Sequence, residues 1–358
     1  MSSTKHIVFV TPGFAKNESD GICTPYLQDY FRALKSARPD WRISIVAMQY
    51  PYQKGSYTWE GITVQAIGGK NRRLAKPWVW KRTAKAIQSL HNVQPIDVMH
   101  SFWLTEATQV ASKVASKLGI QHFASAMGQD VGTKNRQLKR LPFDKMKVIA
   151  ISEFNAELVK KAIGREADAM IPFAVAEADI DRTNNADRPI DVLVVGSLIP
   201  VKRYERILRI VKMVSELHPN IHVEVIGSGP ERAKMERLAA ALGIQDNVQF
   251  LGELPRAAVL AKMSQAKVFL HASAMEGTGL VLLEALGRGA HVVTSAVGVG
   301  ASLPASVAAD KSAVSDATFV LYEATLNFLK HPVDAQPRVP FPMAKMVADH
   351  LQCYGIDA

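Results

Sequence analysis

Two carboxylates, Glu276 and Glu284, are separated by seven residues in the run Glu276-Gly277-Thr278-Gly279-Leu280-Val281-Leu282-Leu283-Glu284-Ala285-Leu286. The first stands in a loop of small residues, the second in an apolar run of helical character. A helix that opens at Gly279 points its unpaired backbone N–H groups into the loop, and such an end attracts an anion or phosphate. One carboxylate then lies beside the anion and the other in the first turns of the helix. That suits a diphosphate flanked by hydroxyl-rich groups, as in a nucleotide sugar. Spacing alone does not make a site, since two glutamates on one helical face are more often solvated surface. The setting argues further. The run 268–272 reads as a buried strand leading into the loop, and His291–Thr294 reads as another strand after the helix. Strand, loop, helix and strand put the loop at the carboxyl end of a parallel sheet, where open α/β folds bind ligands.

A chain of 358 residues with 48% apolar residues is long enough for two domains with full cores. No run of eighteen apolar residues occurs, so no transmembrane helix is expected, and Met1–His6 leads directly into a strand without a signal peptide. The two cysteines, Cys23 and Cys353, have no metal or disulfide spacing and fit a reducing compartment. The expected location is cytoplasmic, with peripheral attachment to a membrane as an option.

Charge divides the chain. Residues 1–188 hold 27 Lys+Arg against 17 Asp+Glu, and residues 189–358 hold 16 of each, so the net +10 belongs to the first half. One cluster is Lys70, Arg72, Arg73, Lys76, Lys81, Arg82 and Lys85, interleaved with Trp78, Val79 and Trp80. The other is Lys134, Arg136, Lys139, Arg140, Lys145 and Lys147, interleaved with Leu138, Leu141 and Phe143. Basic residues among Trp and Leu suit an anionic membrane surface. They suit nucleic acid or an acidic polymer equally, and a solvated face that aids solubility is the third reading. The absence of a recognised nucleic-acid module argues against that partner.

Short apolar runs alternate with helical patterns, which predicts α/β layers on parallel sheets. Strands are expected near residues 7–10, 43–47, 63–67, 97–100, 122–124, 148–151 and 170–172, then 191–195, 222–226, 248–251, 268–271 and 291–294. Helices are expected at 24–37, 107–118 and 153–162, then near 204–217, 231–242, 256–266 and 317–329. The polar, aperiodic stretch 177–189 reads as a linker between a first domain, 1–176, and a second, 190–331. Residues 332–358 read as a Pro-rich segment and a last helix able to pack back on the first domain. Two Rossmann-like domains facing a cleft are the expected architecture.

Four loops at strand ends carry the chemistry. Thr11-Pro12-Gly13-Phe14, continuing to Gly21, offers glycines beside a phosphate or sugar but matches no phosphate-loop motif. Gly196-Ser197-Leu198-Ile199-Pro200-Val201-Lys202-Arg203 leaves a strand for a helix, so the Lys202 ammonium and helix N–H groups can meet one diphosphate; Arg203 is a weaker candidate. Gly227-Ser228-Gly229-Pro230 is a helix entry with Pro at its first position. The glutamate loop is the fourth. In Ala126-Met127-Gly128-Gln129-Asp130, Asp130 reads as a helix cap or a ligand group. The ten histidines show no metal-ligand spacing, and neither H-E-x-x-H nor G-x-S-x-G occurs.

At these residues the chain resembles the retaining glycosyltransferases of the GT-B fold, specifically glycosyltransferase family 4, the "group 1" glycosyl transferases. Gly196-Ser197-Leu198 with Lys202-Arg203 resembles the family's Gly-Arg-Leu and Lys-Gly element. Gly227-Ser228-Gly229-Pro230 resembles its Gly-x-Gly-Pro turn, and Val248–Gly252 resembles the segment, with Leu251, that flanks the nucleobase. Glu276–Leu286 is similar to its Glu-Gly-Phe-Gly-Leu-Val-x-x-Glu-Ala element. The resemblance covers nearly the whole chain and is densest over 191–299. It implies that Glu276 contacts the donor sugar, Glu284 the ribose hydroxyls and Lys202 the diphosphate, with the amides of Gly279, Leu280 and Val281 joining the anion site. Gly196, Gly227 and Arg203 border the donor, and Gly13, Gly21, Gly128 and Asp130 the acceptor or donor-sugar side. Ser197 stands where the family has Arg, Thr278 where it has an aromatic, and Met127 where it has His.

The reading is a retaining, metal-independent hexosyltransferase with no cofactor. It moves a sugar from a UDP- or GDP-sugar to a glycan or lipid-linked acceptor in polysaccharide or glycoconjugate biosynthesis. Stabilisation of the departing diphosphate supplies the catalysis. A nucleotide-sugar epimerase or hydrolase of the same fold, and a catalytically silent nucleotide-sugar-binding partner protein, are the alternatives.

Overall fold

The computed structural model describes residues 4–132, 135–181, 187–303, 312–330 and 341–356. It contains two units. Unit 1 comprises Met1–Phe173 with Met343–Ala358, and unit 2 comprises Ala174–Pro342.

Among the described residues, unit 1 is built on eight strands: β1 (His6–Gly13), β2 (Arg42–Tyr50), β3 (Gly55–Trp59), β4 (Ile62–Ala66), β5 (Val98–Phe102), β6 (Gln121–Ser125), β7 (Lys147–Ala150) and β8 (Ala169–Met170). Their order in the sheet is β3-β4-β2-β1-β5-β6-β7-β8. All pairs are parallel except β3 with β4, an antiparallel hairpin with Tyr57 opposite Val64. That edge strand departs from the wholly parallel sheet expected from the sequence. Gly55-Ser56-Tyr57-Thr58-Trp59 buries only Trp59 fully, so it lacks the continuous apolar run that marks an inner parallel strand. The helices are α1 (Pro25–Ala37), α2 (Lys76–Val93), α3 (Glu106–Leu118) and α4 (Glu153–Ile163). Ser152 caps α4 by accepting from the Asn155 amide, and Gly164 closes it in the left-handed conformation. Much of the first basic cluster lies on α2, whose inward face is Val79, Thr83, Ile87 and Leu90 at helical spacing.

Unit 2 has a wholly parallel sheet: β9 (Ile190–Val195), β10 (Val223–Ile226), β11 (Val248–Gly252), β12 (Ala266–His271), β13 (His291–Thr294) and β14 (Ser312–Val314), in the order β11-β10-β9-β12-β13-β14. The helices are α5 (Tyr204–Ser215), α6 (Arg232–Ala241), α7 (Arg256–Ser264), α8 (Leu280–Gly287) and α9 (Thr318–Lys330). One apolar cluster joins Val192, Val223, Val225 and Leu270 to Ile207, Val211 and Met235. The other joins Leu193 and Phe269 to Leu260, Met263, Leu282 and Leu286. Helices thus cover both sheet faces, which is why the inner strands are rich in Val, Ile, Leu and Phe, with polar residues such as Asp191, Glu224 and Lys267 set singly among them.

The stretch expected to be a linker belongs to unit 2 wherever it is described. The Asp179 carboxylate lies 2.7 Å from Arg256, the Asp181 amide donates to Gly287 O at 3.0 Å, and Arg188 donates to Ala266 O at 2.8 Å. Its polar residues are therefore anchors. Residues 182–186 and the Pro-rich 331–340 lie outside the described residues.

The last helix, α10 (Met343–Cys353), packs on α1 in unit 1. It brings His350 and Tyr354 into a fully buried polar and aromatic cluster. His100 bonds the Tyr354 hydroxyl at 2.6 Å and Ser125 Oγ at 2.8 Å, and His122 bonds Ser101 Oγ at 2.9 Å. Burial keeps these imidazoles neutral, holding His122 down to about 3 and His350 down to about 4. The unfolded chain takes up these protons below pH 6.5 while the fold refuses them, so stability falls as pH drops from about 6.5 towards 4. We predict that acidification from pH 7 to pH 4.5 lowers the melting temperature, and that His350→Phe removes about 2–3 kcal/mol of that pH-dependent loss. An unchanged pH slope in the variant would contradict this assignment.

Candidate active site

The sheet order of unit 2 reverses between β9 and β12. The chain runs outward from β9 to β11, then returns to place β12 on the other side of β9. The loops that leave β9 and β12 therefore meet at a topological switch point, the place where an open α/β sheet accommodates a ligand. The β9 loop carries Lys202 and the β12 loop carries Glu276. The Ala274 amide donates to Val201 O at 2.7 Å and ties the two loops together.

Lys202 ends a short turn, Pro200–Lys202, and Arg203 in the left-handed conformation (φ 52°) starts α5. This kink sends the Lys202 stem back across the switch point. Its Nζ lies 2.5 Å from Glu276 Oε1, and His271 Nε2, from the end of β12, lies 2.9 Å from the same oxygen. Burial alone would raise the Glu276 carboxyl, but the His271 hydrogen bond and the Lys202 charge hold it down to about 2. Glu276 is thus an ionised, partly buried carboxylate in the loop between β12 and α8. Gly279, at φ 76°, starts α8 with no side-chain cap, so the first turn directs backbone donors towards the same loop. An ammonium, free helix-end donors and a fixed carboxylate can hold an anionic group with a hydroxyl-bearing group next to it.

The glycines have distinct duties. Gly196 (φ 154°) packs beside the Lys202 stem, and its carbonyl accepts from the Tyr204 hydroxyl at 2.6 Å. At Gly227 (φ 135°) a side chain would overlap the Gly196 carbonyl, and one at Gly229 would overlap Leu198 O. The Gly-x-Gly turn is therefore required for packing against the Lys202 loop. Leu251 is partly buried against the second apolar cluster.

Glu284 sits on α8, where Arg256 at the start of α7 reaches its Oε1 at 2.9 Å. The same guanidinium holds Asp179. Arg203 is exposed and lines a separate cavity with Tyr204, Arg206, Arg209, Glu231 and Lys234; it is not among the groups that touch Glu276. Arg203, the weaker candidate beside Lys202, is thus not brought to the Lys202–Glu276 contact in this arrangement.

In unit 1, Gly13 ends β1 with Tyr50 and Cys23 nearby, and Gly21 has open space around it. Gly128 (φ 123°) leads into a turn at Gln129–Val131. Asp130 is buried and takes amide hydrogens from Leu104 at 2.6 Å and from Met127 at 2.9 Å. It ties the Met127 loop to the end of β5. Its oxygens are engaged by backbone, which corrects the reading of Asp130 as a ligand group. Asp20 does similar work beside Gly21, accepting from the Lys16, Ile22 and Cys23 amides and from the Tyr50 hydroxyl.

Sequence reasoning missed His271, Thr294 and Arg256. The available signal for His271 was a titratable residue closing a buried strand, five positions before the loop carboxylate. Arg256 offered only its place after Pro255 at a helix start.

Comparison with known proteins bears on the family and the fold. Residues 175–305 match the family model described as "Glycosyl transferases group 1". The chain is 30% identical over 183 residues to the phosphatidylinositol N-acetylglucosaminyltransferase GPI3 subunit of Saccharomyces cerevisiae (strain YJM789), covering 48% of this chain and 40% of that protein. It is 25% identical over 252 residues to the GDP-mannose-dependent alpha-(1-6)-phosphatidylinositol monomannoside mannosyltransferase of Mycolicibacterium smegmatis, covering 63% and 64%. A sucrose-phosphate synthase from Thermosynechococcus elongatus shares the fold with a TM-score of 0.71 at 18% identity, over 98% of this chain and 95% of its own. The matches thus span less than two thirds of these curated relatives. The family match lies within unit 2, and the chain has the fold of the GT-B glycosyltransferases. The resemblance read from the motifs is borne out over these residues.

Gly298 backs the glutamate loop. It sits at φ 57°, and a side chain there would come 2.5 Å from Thr278 O and 2.8 Å from Glu276 Cβ. The adjacent Val299 amide donates to Thr278 O at 2.5 Å. Gly298→Ala is expected to lower the melting temperature by several degrees. Scanning calorimetry on the variant checks this; a wild-type melting temperature would show that the loop does not need this backing.

Proposed function

We propose that the protein is a retaining glycosyltransferase that uses a nucleotide-sugar donor bound by unit 2. The observation that carries this reading is the Lys202–Glu276 contact at the β9/β12 switch point. Lys202 and the first amides of α8 receive the diphosphate, Glu276 the donor sugar and Glu284 the ribose hydroxyls. As the glycosidic bond breaks, negative charge grows on the β-phosphate, and a preorganised ammonium with helix-end donors stabilises it more than the ground state. The groups assigned to the leaving diphosphate are all protein donors, so we propose turnover without a metal. The donor is a UDP- or GDP-sugar.

The acceptor belongs to unit 1 in this reading. Its sheet also reverses, between β1 and β5, and a cavity of about 750 Å³ lies there, lined by Pro12, Met48, Lys76, Trp103, Glu106 and Arg136 among others. Trp103 is held at φ 66°, an unusual backbone state for a bulky residue. Lys76, which pairs with Glu106, opens α2. Leu74 is 96% exposed and Trp78 66% exposed, with Arg82 stacked 4.5 Å over the Trp78 ring. Exposed Leu and Trp among Lys and Arg support peripheral attachment to an anionic membrane and a lipid-borne acceptor. The named activities of the yeast and mycobacterial relatives, both on phosphatidylinositol compounds, support the same choice. Among the described residues no helix is long and apolar enough to cross a membrane. Of the second basic cluster, Lys134 lies outside the described residues.

Lys202→Ala is expected to lower kcat/KM for transfer by more than tenfold, and Glu276→Ala to abolish transfer without loss of fold. Normal kinetics in either variant would remove that residue from the site. Product NMR should show the anomeric configuration of the donor retained; inversion, or free sugar as the main product with acceptor present, would reject a retaining transferase. Flotation with vesicles containing phosphatidylserine should carry wild-type protein but little Leu74→Ser/Trp78→Ser; equal flotation would reject the membrane patch.

A further inference from the structure

Lys202 and His271 both converge on one oxygen of Glu276, Oε1, at 2.5 Å and 2.9 Å. Oε2 is then the oxygen through which the carboxylate can meet a sugar hydroxyl. The two donors differ in mobility. Lys202 has a flexible stem on a turn and keeps partial exposure. His271 is buried at the end of β12, its ring fixed on both sides. An ammonium that moves onto a diphosphate loosens its bond to Glu276, and His271 is the donor that stays.

We propose that His271 is a positioning residue for donor-sugar recognition: with Thr294 behind it, it holds Glu276 Oε1 while Lys202 serves the diphosphate, so that Oε2 stays aimed at the sugar. This rests on the glycosyltransferase reading given above.

The proton accounting supports it. An ionised carboxylate only accepts, so Nε2 carries the proton that faces Glu276. On the other side of the ring, Nδ1 lies 2.9 Å from Thr294 Oγ1, and that hydroxyl also lies 3.1 Å from Ser295 O. If the hydroxyl donates to Nδ1, the ring is neutral with its proton on Nε2. If the hydroxyl donates to Ser295 O, Nδ1 donates to Oγ1 and both ring nitrogens carry protons. Either way the acceptor-only carboxylate requires Nε2–H to face Glu276, since a ring lone pair there would meet the carboxylate's own lone pairs, and the Thr294 hydroxyl holds the other side of the ring in place. The relay is rigid because His271 and Thr294 are register partners on adjacent strands. Ser295 extends it, donating to Ser273 O at 2.7 Å and fastening the root of the glutamate loop. The buried histidines described in unit 1, His6, His100, His122 and His350, face hydroxyls or backbone carbonyls. His271 faces the carboxylate of the ligand loop.

The test is a double-mutant cycle read by calorimetry with two probe pairs, UDP with UDP-N-acetylglucosamine and GDP with GDP-mannose, using the pair that wild-type protein binds. His271→Phe should weaken the nucleotide sugar at least tenfold and leave the free nucleoside diphosphate within twofold. Placed on Glu276→Gln, it should add less than a twofold loss. His271→Gln, which can return an N–H near the Nε2 position, should recover most of the affinity. Should His271→Phe not fold, Thr294→Val reads the same selectivity, with a loss of threefold or more for the sugar nucleotide alone. Equal losses for sugar nucleotide and diphosphate, or a full additional loss on Glu276→Gln, would overturn the positioning role. Binding of neither pair by wild-type protein would overturn the glycosyltransferase reading and this inference with it.

Discussion

The site depends on a single partly buried carboxylate shared by two hydrogen-bond donors, Lys202 and His271, across a sheet's switch point. Isolated, the Glu276 carboxylate would be costly to bury in its ionised form. Lys202 from one loop and His271 from a strand end make it stable there. Their convergence requires β9 and β12 to be neighbours although 70 residues of chain, with two further strands and three helices, lie between the end of one and the start of the other. The parallel topology of unit 2 meets that requirement, and the tight glycines at 227, 229 and 298 let the loops approach closely.

The arrangement also explains how one ammonium can serve two ends. With no ligand, Lys202 neutralises Glu276. The diphosphate of the proposed donor would offer a competing double charge, supported by the amides at the start of α8. Lys202 would then shift from Glu276 to that anion while His271 keeps the carboxylate in place. Glu284 follows a similar logic, since Arg256 holds it in place while also binding Asp179.

Much of this was legible in the sequence. The Val/Ile-rich runs marked the inner strands within a residue or two, because strands buried on both faces leave an uninterrupted apolar signature. Glu276, Glu284, Lys202 and the start of α8 at Gly279 were legible from the order of motifs at strand ends. What escaped was information held between distant residues. His271 meets Thr294 across 23 positions, and Arg256 meets Glu284 across 28. No local pattern encodes these pairs. The basic stretch from Lys70 hid the start of α2 because its charges outnumber the four inward residues that make it a helix. The presumed linker was misread because polar residues that anchor a segment by ion pairs resemble polar residues that leave it free. Asp130 failed as a ligand group for a related reason, since a carboxylate that ties backbone amides and one that awaits a hydroxyl look alike in sequence.

The most direct measurement is a crystal structure of the protein soaked with a nucleotide sugar that it binds. The account predicts the β-phosphate within hydrogen-bond reach of Lys202 Nζ and the first amides of α8, with Glu276 Oε1 still on His271 and Oε2 on a sugar hydroxyl. A diphosphate bound elsewhere, with Lys202 still closed on Glu276, would contradict it.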